Sequence, residues 1–446
     1  MGNVKRLLIV LGVLGLMGAD NAIANEKIRD QFHGSFSNRY RLRTTGGESD
    51  HDLESLATLN IGNPTYQKVT AALQGGAIFD LDGNGGGALY DINDTFDSAA
   101  VGRLYYGYVN VQNLKKSPTE LVRIGRQHLY DFETFYFDGL SLDSKAFYGV
   151  RISGYAGVPV HLYESQLGWD TGDWLVGTAV SWTPVKQVRT RFDYAHLKDD
   201  SAAFRSTQAD QSDDLFGGTV WFDITKYVET YARFTSFSDQ VRDLASGAAL
   251  RFPKQDLRIN LKVFRLLNGY DIRVPELDAY SIAGTYQPYT EVSANVTKGL
   301  NDHFIADAGF AWRLLDDEQT ASAFNHGYKR GYLSLTSSDL PIKGLSLTAT
   351  GDYYHGEDST LKNNFFGGSF TAGQNFFKKR LTVAAGTAYY LYRFNFATAD
   401  ESQNVQTYFG KIEGKLSKQL KMKSNYEFEN SDNEFHTLRL SLAWEF

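Results

Sequence analysis

The sequence predicts an all-β fold, a transmembrane antiparallel β-barrel, and three observations support this prediction. The last ten residues, Thr437 to Phe446, alternate apolar and polar side chains, which is the period of a β-strand with one apolar and one wet face. The sequence has one long apolar run, near its start, although 14% of its residues are aromatic. Short and long connections alternate along the chain, as they do at the two ends of a bacterial barrel.

The start of the chain has the pattern of a secretory signal peptide. A short basic segment precedes an apolar run from Leu7 to Met17, and Ala22-Ile23-Ala24 fits a cleavage site. The run is shorter than the about 20 apolar residues that a transmembrane helix needs. We therefore expect residues 1–24 to be removed and residues 25–446 to form a single barrel domain.

The composition narrows the class of protein further. The chain has no cysteine, and its formal net charge is -7. This charge excludes a generally basic nucleic-acid-binding protein. Without cysteine, a secreted chain has no disulfides and cannot itself hold c-type haem, an iron-sulfur cluster or a thiolate zinc site. The negative mean hydropathy is expected for a barrel, whose lipid-facing residues are dispersed by alternation.

Segments that predict strands with one apolar and one polar face recur along the chain. From Gly34 to Thr45, three arginines alternate with apolar residues, and because arginines need water, their face is predicted to point inward. The same alternation predicts strands at Val188–His196, Leu257–Val263, Tyr280–Val296 and Leu420–Glu429. Counting between connections gives about 22 strands, within a range of roughly 18 to 22. A slip of one residue would move the charges into lipid, so the strand register is strongly specified.

The connections between predicted strands are of two kinds. The short ones carry proline or a Lys/Gly turn: Asn63-Pro64, Ser117-Pro118, Pro184–Gln187, Pro253–Asp256, Gly299–His303, Leu340–Gly344 and Leu416–Gln419. The longer, polar ones are Asp80–Ser98, Asp200–Asp213 and Leu315–Gly327. We therefore expect short periplasmic turns and longer extracellular loops.

The last predicted strand, which ends at Phe446, has the pattern of a strand that closes a membrane barrel. Leu438, Leu440, Leu442, Trp444 and Phe446 share one face. The segment resembles the closing strand of Gram-negative outer-membrane β-barrels, whose terminal phenylalanine is read by the barrel-assembly machinery. The resemblance implies a place in the outer membrane, among lipid and lipopolysaccharide, and a role for Phe446 as an assembly signal.

A second resemblance lies between Leu121 and Leu142. Gly125-Arg126-Gln127 and Phe137-Asp138-Gly139 are similar to a G-R-Q then F-D-G pattern of outer-membrane channels of the alginate-export type, which are similar to substrate-specific porins. The resemblance implies a diffusion channel with Arg126, Gln127 and Asp138 in the pore or at its rim. The same residues also fit a glycine at a bend and a buried Arg-Asp pair that joins two strands.

One loop fits a calcium-binding pattern. Asp80, Asp82, Asn84, Gly85 and Asp91 stand at positions 1, 3, 5, 6 and 12 of a D-x-D-x-N-G-x5-[DE] loop, in which alternating oxygens surround the cation. Strands rather than helices flank the loop, and its glycines would also specify a solvated hairpin loop. Calcium in an extracellular loop is therefore one alternative, and no other cofactor is expected.

Signatures of catalysis are missing from the sequence. It contains no G-x-S-x-G elbow, no H-E-x-x-H and no P-loop, and its 9 histidines are scattered. We therefore predict that the protein is not an enzyme.

Basic residues are frequent on the predicted inner faces. The pore-lining candidates are Arg39, Arg41, Arg43, Arg123, Arg126, Arg151, Arg189, Arg191, Arg258, Lys262, Lys421 and Arg439. Rings of such residues favour anions, although a hydrated wall also uses charges of both signs for cross-strand pairing. The function predicted from the sequence is an outer-membrane channel for passive diffusion of small hydrophilic solutes, with anions as one alternative.

The size of the predicted barrel raises a second hypothesis. Barrels of 16 to 18 strands leave an aqueous channel, whereas 22-stranded ones carry a plug, and the sequence shows no plug domain. Either the strand count is high, or loops such as Asp80–Ser98 and Tyr130–Phe137 fold inward, or a partner fills the lumen. In the last case, the barrel is the sheath or scaffold of a porin-cytochrome or export complex, around a partner such as a multihaem cytochrome.

Overall fold

The computed structural model describes residues 31–82, 89, 99–112, 114, 116–130, 134–160, 172–198, 212–237, 240–271, 285–317, 327–356, 364–395, 400–431 and 433–446. Within these ranges, 22 antiparallel strands form one sheet in which the first strand pairs with the last. The sheet is a closed barrel, which confirms the predicted fold class. Closure leaves no edge strand, as lipid requires, because lipid offers no partner for free backbone groups.

The barrel strands follow one another around the wall in chain order. They are β1 (Phe32–Thr45), β2 (Glu48–Ile61), β3 (Val69–Asp80), β4 (Ala100–Gln112), β5 (Thr119–Tyr130), β6 (Thr134–Ser144), β7 (Val150–Pro159), β8 (Trp174–Val185), β9 (Val188–Lys198), β10 (Ser212–Thr225), β11 (Val228–Phe237), β12 (Gln240–Phe252), β13 (Leu257–Leu266), β16 (Tyr289–Gly299), β17 (Phe304–Leu315), β18 (Tyr328–Ser338), β19 (Leu345–Gly356), β20 (Asn364–Phe376), β21 (Leu381–Asn395), β22 (Asp400–Lys415), β23 (Leu420–Asn430) and β24 (Glu434–Glu445). Two short strands, β14 (Tyr270–Asp271) and β15 (Thr285–Tyr286), pair outside the barrel sheet, and a 3-10 turn spans Pro253–Gln255. In the described part of the chain, no helix has the length and apolarity to cross a membrane.

The two ends of the barrel carry different connections. At one end, which we call the turn rim, the strands are joined by 62–68, 113–118, 145–149, 186–187, 226–227, 253–256, 300–303, 339–344, 377–380 and 416–419. At the opposite end, the loop rim, the long connections are 81–99, 160–173, 199–211, 267–288 and 316–327. Every short connection predicted from the sequence lies at the turn rim and every long one at the loop rim, which confirms their alternation.

Strand β24 closes the barrel against β1. Leu440 pairs with Tyr40 and Ser441 with Arg39, so the apolar faces of the two strands are in phase and so are the polar ones. At the turn rim, Gly34 and Phe446 exchange backbone hydrogen bonds of 3.0 and 3.1 Å. Phe446 is therefore part of the wall, and its role as an assembly signal stays a prediction. The removal of residues 1–24 also stays a prediction, since they lie outside the described ranges.

The predicted strand Tyr280–Val296 is wrong in extent, because the barrel strand β16 begins at Tyr289. Pro288, just before it, has no N–H to give to a ladder. Upstream, Thr285 pairs with Asp271 in the small ladder outside the barrel. Residues 272–284 lie outside the described ranges. Alternation alone does not distinguish a barrel strand from an adjoining segment that pairs elsewhere.

The outer face of the barrel is an apolar belt with aromatic residues at both ends. Leu440 and Leu442 on β24 and Leu333 on β18 are exposed large apolar residues, and all lie on this face. On β8, Trp174 and Trp182 lie near the two ends of the belt. Their separation is roughly 20 Å along the barrel axis, at about 3.4 Å per residue and a tilt of about 40°. This height is close to that of the lipid-facing band of outer-membrane barrels.

Candidate functional site

The strand register decides which of the candidate basic residues face the lumen, because paired residues lie on the same face of the sheet. The inner face, opposite to the apolar belt, carries Arg39, Arg41, Arg43, Arg123, Arg151, Arg189, Arg191, Arg258, Lys262, Lys421 and Arg439. Arg126 lies on the outer face.

Three arginines of β1 each face an acidic residue of β2. Arg39 pairs in register with Glu54, at 3.2 Å between the charged groups. Arg41 forms an ion pair with Asp52, and Arg43 one of 2.5 Å with Asp50. These side chains follow one another along the inner face, two residues apart on each strand. Their charges are therefore neutralised in pairs across the ladder.

Most other candidates also form ion pairs on the inner wall, either within one strand or with a strand one or two positions away. The further inner-wall ion pairs are Arg151–Glu120 at 3.1 Å, Arg189–Glu229 at 3.0 Å, Arg191–Asp193 at 2.7 Å, Lys421–Glu445 at 2.5 Å and Arg439–Glu427 at 3.3 Å. Three candidates contact uncharged groups instead. Arg123 donates to Asn110 at 2.9 Å, Arg258 donates to Asn260 at 3.3 Å, and Lys262 lies 5.6 Å from the ring centroid of Phe264.

The side chains of the G-R-Q residues on β5 and the F-D-G residues on β6 link the two strands, and we call this contact the β5–β6 joint. Arg126 donates to both carboxylate oxygens of Asp138, at 2.8 and 2.7 Å, and is only 7% exposed. Both residues share a face with Ile124 and Leu140 of the apolar belt. Arg126 and Asp138 therefore do not line the lumen; they are a buried pair that joins two strands. The sequence already indicated that one of these arginines faces outward. Arg123 and Arg126 are three residues apart in one strand, and residues at an odd spacing point to opposite faces of a sheet.

Gln127 faces inward but is completely buried. Its side-chain amide donates to the backbone carbonyl of Gly139 at 3.2 Å, and it accepts a hydrogen bond of 2.7 Å from Ser141. Both contacts reach β6. Gln127 thus continues the β5–β6 joint on the inner side of the wall.

The ladder between β4 and β5 stops at this joint. Its pairs run from Gln112–Leu121 to Gly107–Arg126, although both strands continue toward the loop rim. Gly125 lies at the end of the ladder with φ +127°, in the left-handed region. Beyond it, the carbonyl of Leu104 accepts hydrogen bonds from the side chains of Arg126 at 3.2 Å and Tyr136 at 2.8 Å. Side chains thus take the place of backbone pairing along this β4–β5 seam.

The inner wall near the loop rim carries an apolar cluster that the sequence reasoning missed. Its members are Phe135, Phe137, Tyr155, Leu175, Ala195, Leu197, Leu215 and Phe237, all at most 5% exposed. They occupy inner-face positions on β6 to β11. The sequence could have indicated this cluster, because these strands carry apolar residues on both faces where they approach the long loops. On this side, the inner face near the loop rim therefore carries a buried apolar surface.

The prediction that connections fold inward has different outcomes for its two segments. Arg43, on the inner face, donates to the carbonyl of Leu89, which is 3% exposed. The loop Asp80–Ser98 therefore reaches the inner wall at Leu89. For Tyr130–Phe137 the prediction is wrong, because β6 begins at Thr134 and these residues belong mostly to the wall.

The chain matches no protein-family model and no curated protein. Among solved structures, it is similar to the translocation pore of the P pilus usher PapC, with a TM-score of 0.52 and 7% identity over 93% of this chain and 99% of that chain. The fold is that of a transmembrane β-barrel. It is also similar to a BenF-like porin from Pseudomonas fluorescens Pf-5 (TM-score 0.48, 14% identity, 93% and 98% covered) and to Pseudomonas aeruginosa OpdK with vanillate (0.45, 10%, 93% and 98%). At these identities, the similarity concerns the fold alone.

The predicted calcium loop is only partly within the described ranges. Asp82 accepts a hydrogen bond of 3.0 Å from the backbone N–H of His51, and Asp80 accepts one of 3.2 Å from the N–H of Asp82. Asn84 and Asp91 lie outside the described residues. Among the described residues, no group of three or more His, Cys, Asp or Glu side chains could hold a metal ion. Calcium binding by this loop stays a prediction.

Proposed function

We propose that the protein is an outer-membrane channel for passive diffusion of small hydrophilic solutes. The observation that carries this proposal is a closed barrel with an apolar outer belt and an inner wall of ion pairs and hydroxyl groups. Charged groups are costly to remove from water, so such a wall requires a hydrated lumen. Lipid and lipopolysaccharide would surround the belt, and transport of this kind needs no catalytic residue.

We propose that any preference for anions is weak. Acidic partners neutralise most of the inner-wall bases, and a neutralised pair exerts little field on an ion in the lumen. Arg123, Arg258 and Lys262, which contact uncharged groups, are the residues from which a small anion preference would come.

The apolar cluster favours a channel over a sheath around a partner protein. Phe137, Leu215 and Phe237, at most 1% exposed, lie on inner-face positions near the loop rim. Side chains packed there occupy lumen space that an enclosed protein such as a multihaem cytochrome would need. They instead narrow the lumen toward the opposite wall.

Single-channel recording tests the proposed function. The purified, cysteine-free chain is reconstituted in planar lipid bilayers without any other protein. Steady conductance steps are expected, together with a heat-dependent shift of gel mobility that reports the folded barrel. Fractionation of cell membranes should place the protein in the outer membrane. Folded protein that gives no steps, or a haem protein that co-purifies with it from native membranes, would favour the sheath.

A further inference from the structure

Hydroxyl side chains lie together on the inner face of three neighbouring strands, toward the turn rim. They are Ser334, Thr336 and Ser338 on β18, Ser346, Thr348 and Thr350 on β19, and Ser369 and Thr371 on β20. The register aligns them in rows, in which Thr348 pairs with both Thr336 and Thr371, and Thr350 with both Ser334 and Ser369. We call this surface the hydroxyl grid. It extends over roughly 10 Å between strands and 14 Å along them.

The hydroxyl grid is free of ionisable side chains within the described ranges. On these strands, the first inner-face charges lie toward the loop rim, where Arg330 forms an ion pair of 3.0 Å with Asp352. On the next strand, β21, the adjoining inner positions are Ala384, Gly386 and Ala388. On the preceding strand, β17, Asp307 pairs in register with Ser334, and its carboxylate accepts a hydrogen bond of 2.6 Å from Tyr332. The wall of β1 and β2, in contrast, carries three successive ion pairs. The inner wall thus has a sector of ion pairs and a sector of hydroxyl groups with Asp307 at its border.

The hydroxyl groups bond to one another and keep capacity for a solute. The side-chain oxygens of Ser334 and Thr350 are 2.9 Å apart, and those of Thr336 and Thr348 are 3.1 Å apart. In each pair one O–H donates to the other oxygen, so the second O–H and several lone pairs remain. All four side chains are partly exposed. The hydroxyl grid can therefore both donate to and accept from a molecule in the lumen.

Three aromatic rings border the hydroxyl grid and pack against the wall. Each covers a glycine of the neighbouring strand: a Cβ added to Gly309, Gly386 or Gly367 would lie 2.2 Å from Tyr332, 2.5 Å from Phe409 or 2.7 Å from Tyr390, respectively. Such cross-strand pairs of an aromatic residue and a glycine turn one ring face to the backbone. The other face is directed to the lumen, next to the hydroxyl groups.

We propose that the hydroxyl grid and its three rings bind neutral, polyhydroxylated ring solutes, such as short saccharides, during passage. This inference rests on the channel function proposed above and names its solute class. Hydroxyl groups of the wall match the donors and acceptors of such solutes. The aromatic faces match the apolar C–H faces of their rings. Within the described ranges the hydroxyl grid carries no basic side chain and Asp307 borders it, so an anionic solute gains no charge attraction from this surface.

Block of the channel current by added solutes tests the inference. Maltotriose is compared with polyethylene glycol of equal hydrodynamic size and with a trimer of galacturonate, using the purified protein in planar bilayers. Maltotriose is expected to block at a concentration about tenfold lower than either of the other two, a difference that a few net hydrogen bonds would supply.

Substitutions locate the binding surface. The variant with Thr336→Val, Thr348→Val and Thr350→Val keeps side-chain volume and should weaken block by maltotriose about tenfold, with block by polyethylene glycol unchanged. Phe409→Ala should also weaken block by maltotriose. The control is Ser293→Ala on the inner face of β16, which removes a hydroxyl beside Lys262 and should leave the block unchanged.

The outcomes separate this inference from the channel proposal. Normal conductance with equal block by all three solutes, or with stronger block by galacturonate, overturns the neutral-solute inference and leaves the channel in place. The same holds if the threonine variant behaves as the Ser293 control does. Folded protein without conductance overturns both.

Discussion

The ion pair of Arg126 and Asp138 differs from the other ion pairs of the barrel in its burial. Its side chains are 8% and 18% exposed, compared with 50% and 26% for Arg439 and Glu427. Removal of one partner from a buried pair leaves an uncompensated charge, which costs about 3–5 kcal/mol. Exposed pairs contribute about 0–1 kcal/mol. The two pairs therefore have different consequences for stability.

Substitution of Arg126 is expected to destabilise the barrel strongly. Arg126→Gln should lower the free energy of unfolding by about 3–5 kcal/mol, and Arg439→Gln by at most about 1 kcal/mol. Urea unfolding in lipid vesicles, followed by tryptophan fluorescence, measures both. The double variant Arg126→Met with Asp138→Leu should recover most of the loss, since it leaves no buried charge. Equal effects of the two single arginine variants would contradict the structural role of Arg126.

Gly125 is the second position where one residue decides the local structure. Its φ is +127°, and an added Cβ would lie 2.2 Å from the carbonyl oxygen of Gly107. Gly125→Ala is therefore expected to cost about 1–3 kcal/mol. The matched control is Gly102→Ala on β4, where an added Cβ has nothing within 4 Å. The same unfolding assay compares them, and a neutral Gly125→Ala would contradict the close approach.

At the scale of elements, the β4–β5 seam is a local weakness of the wall. The ladder ends at Gly107–Arg126, and lipid does not tolerate free backbone groups. The donors of Arg126 and Tyr136 satisfy the Leu104 carbonyl in place of a strand. Arg126 of the G-R-Q residues and the neighbouring Tyr136 thus link the wall across the seam.

Hydrogen exchange should reveal the seam. Amides of residues 127, 129 and 130 that point toward β4 are expected to exchange at least about tenfold faster than those of residues 121–126, because they lie beyond the last pair of the β4–β5 ladder. The control is β9, whose ladder with β8 continues to Lys198, so that residues 195–198 should stay protected. Exchange measured by NMR in detergent micelles makes the comparison. Equal protection of both strand ends would show that β4 and β5 pair throughout.

At the scale of the whole molecule, the two faces of the wall should be distinguishable in lipid. Leu440 and Ser441 are adjacent on β24, yet Leu440 is in the apolar belt and Ser441 on the inner face. Single cysteines labelled with nitroxide at these positions are expected to be accessible to oxygen at 440 and to a water-soluble nickel complex at 441. The chain has no native cysteine, so the labels are unambiguous. Aqueous contact at 440 would contradict the orientation of the whole barrel.

The balance of paired charges should set the ion selectivity. Asp52→Asn removes the nearer of the two acidic partners of Arg41, the other being Asp50 at 3.8 Å, and is expected to shift the reversal potential in a salt gradient toward anion preference. Arg41→Gln should shift it the other way, and Ser293→Ala, which changes no charge, should leave it unchanged. The shifts should shrink at high salt because the charges are screened. Identical potentials for both charge variants would mean that ions do not pass along the β1–β2 wall.

Much of this architecture could be predicted from the sequence, since the evidence was local. Arg39, Arg41 and Arg43 alternate with apolar residues, and this requires no knowledge of the neighbouring strands. The short turns at Pro253–Asp256 and Leu416–Gln419 were likewise recognisable from their residues. At Tyr280–Val296, the alternation of apolar and polar residues predicted the wrong start of the strand. There, a proline and a competing partner strand set the start of β16.

By itself, the sequence determined the class of fold, the two faces of the wall and the alternation of turns and loops, because these depend on period and turn chemistry within each segment. Only the tertiary structure decided that Arg41 meets Asp52, that Arg126 lies on the outer face and that an apolar cluster forms on the inner face near the loop rim. It also decided that the hydroxyl groups of β18, β19 and β20 form one surface. The physical reason is register: the contacts across a barrel wall depend on how strands slide against one another, and no single strand contains that information.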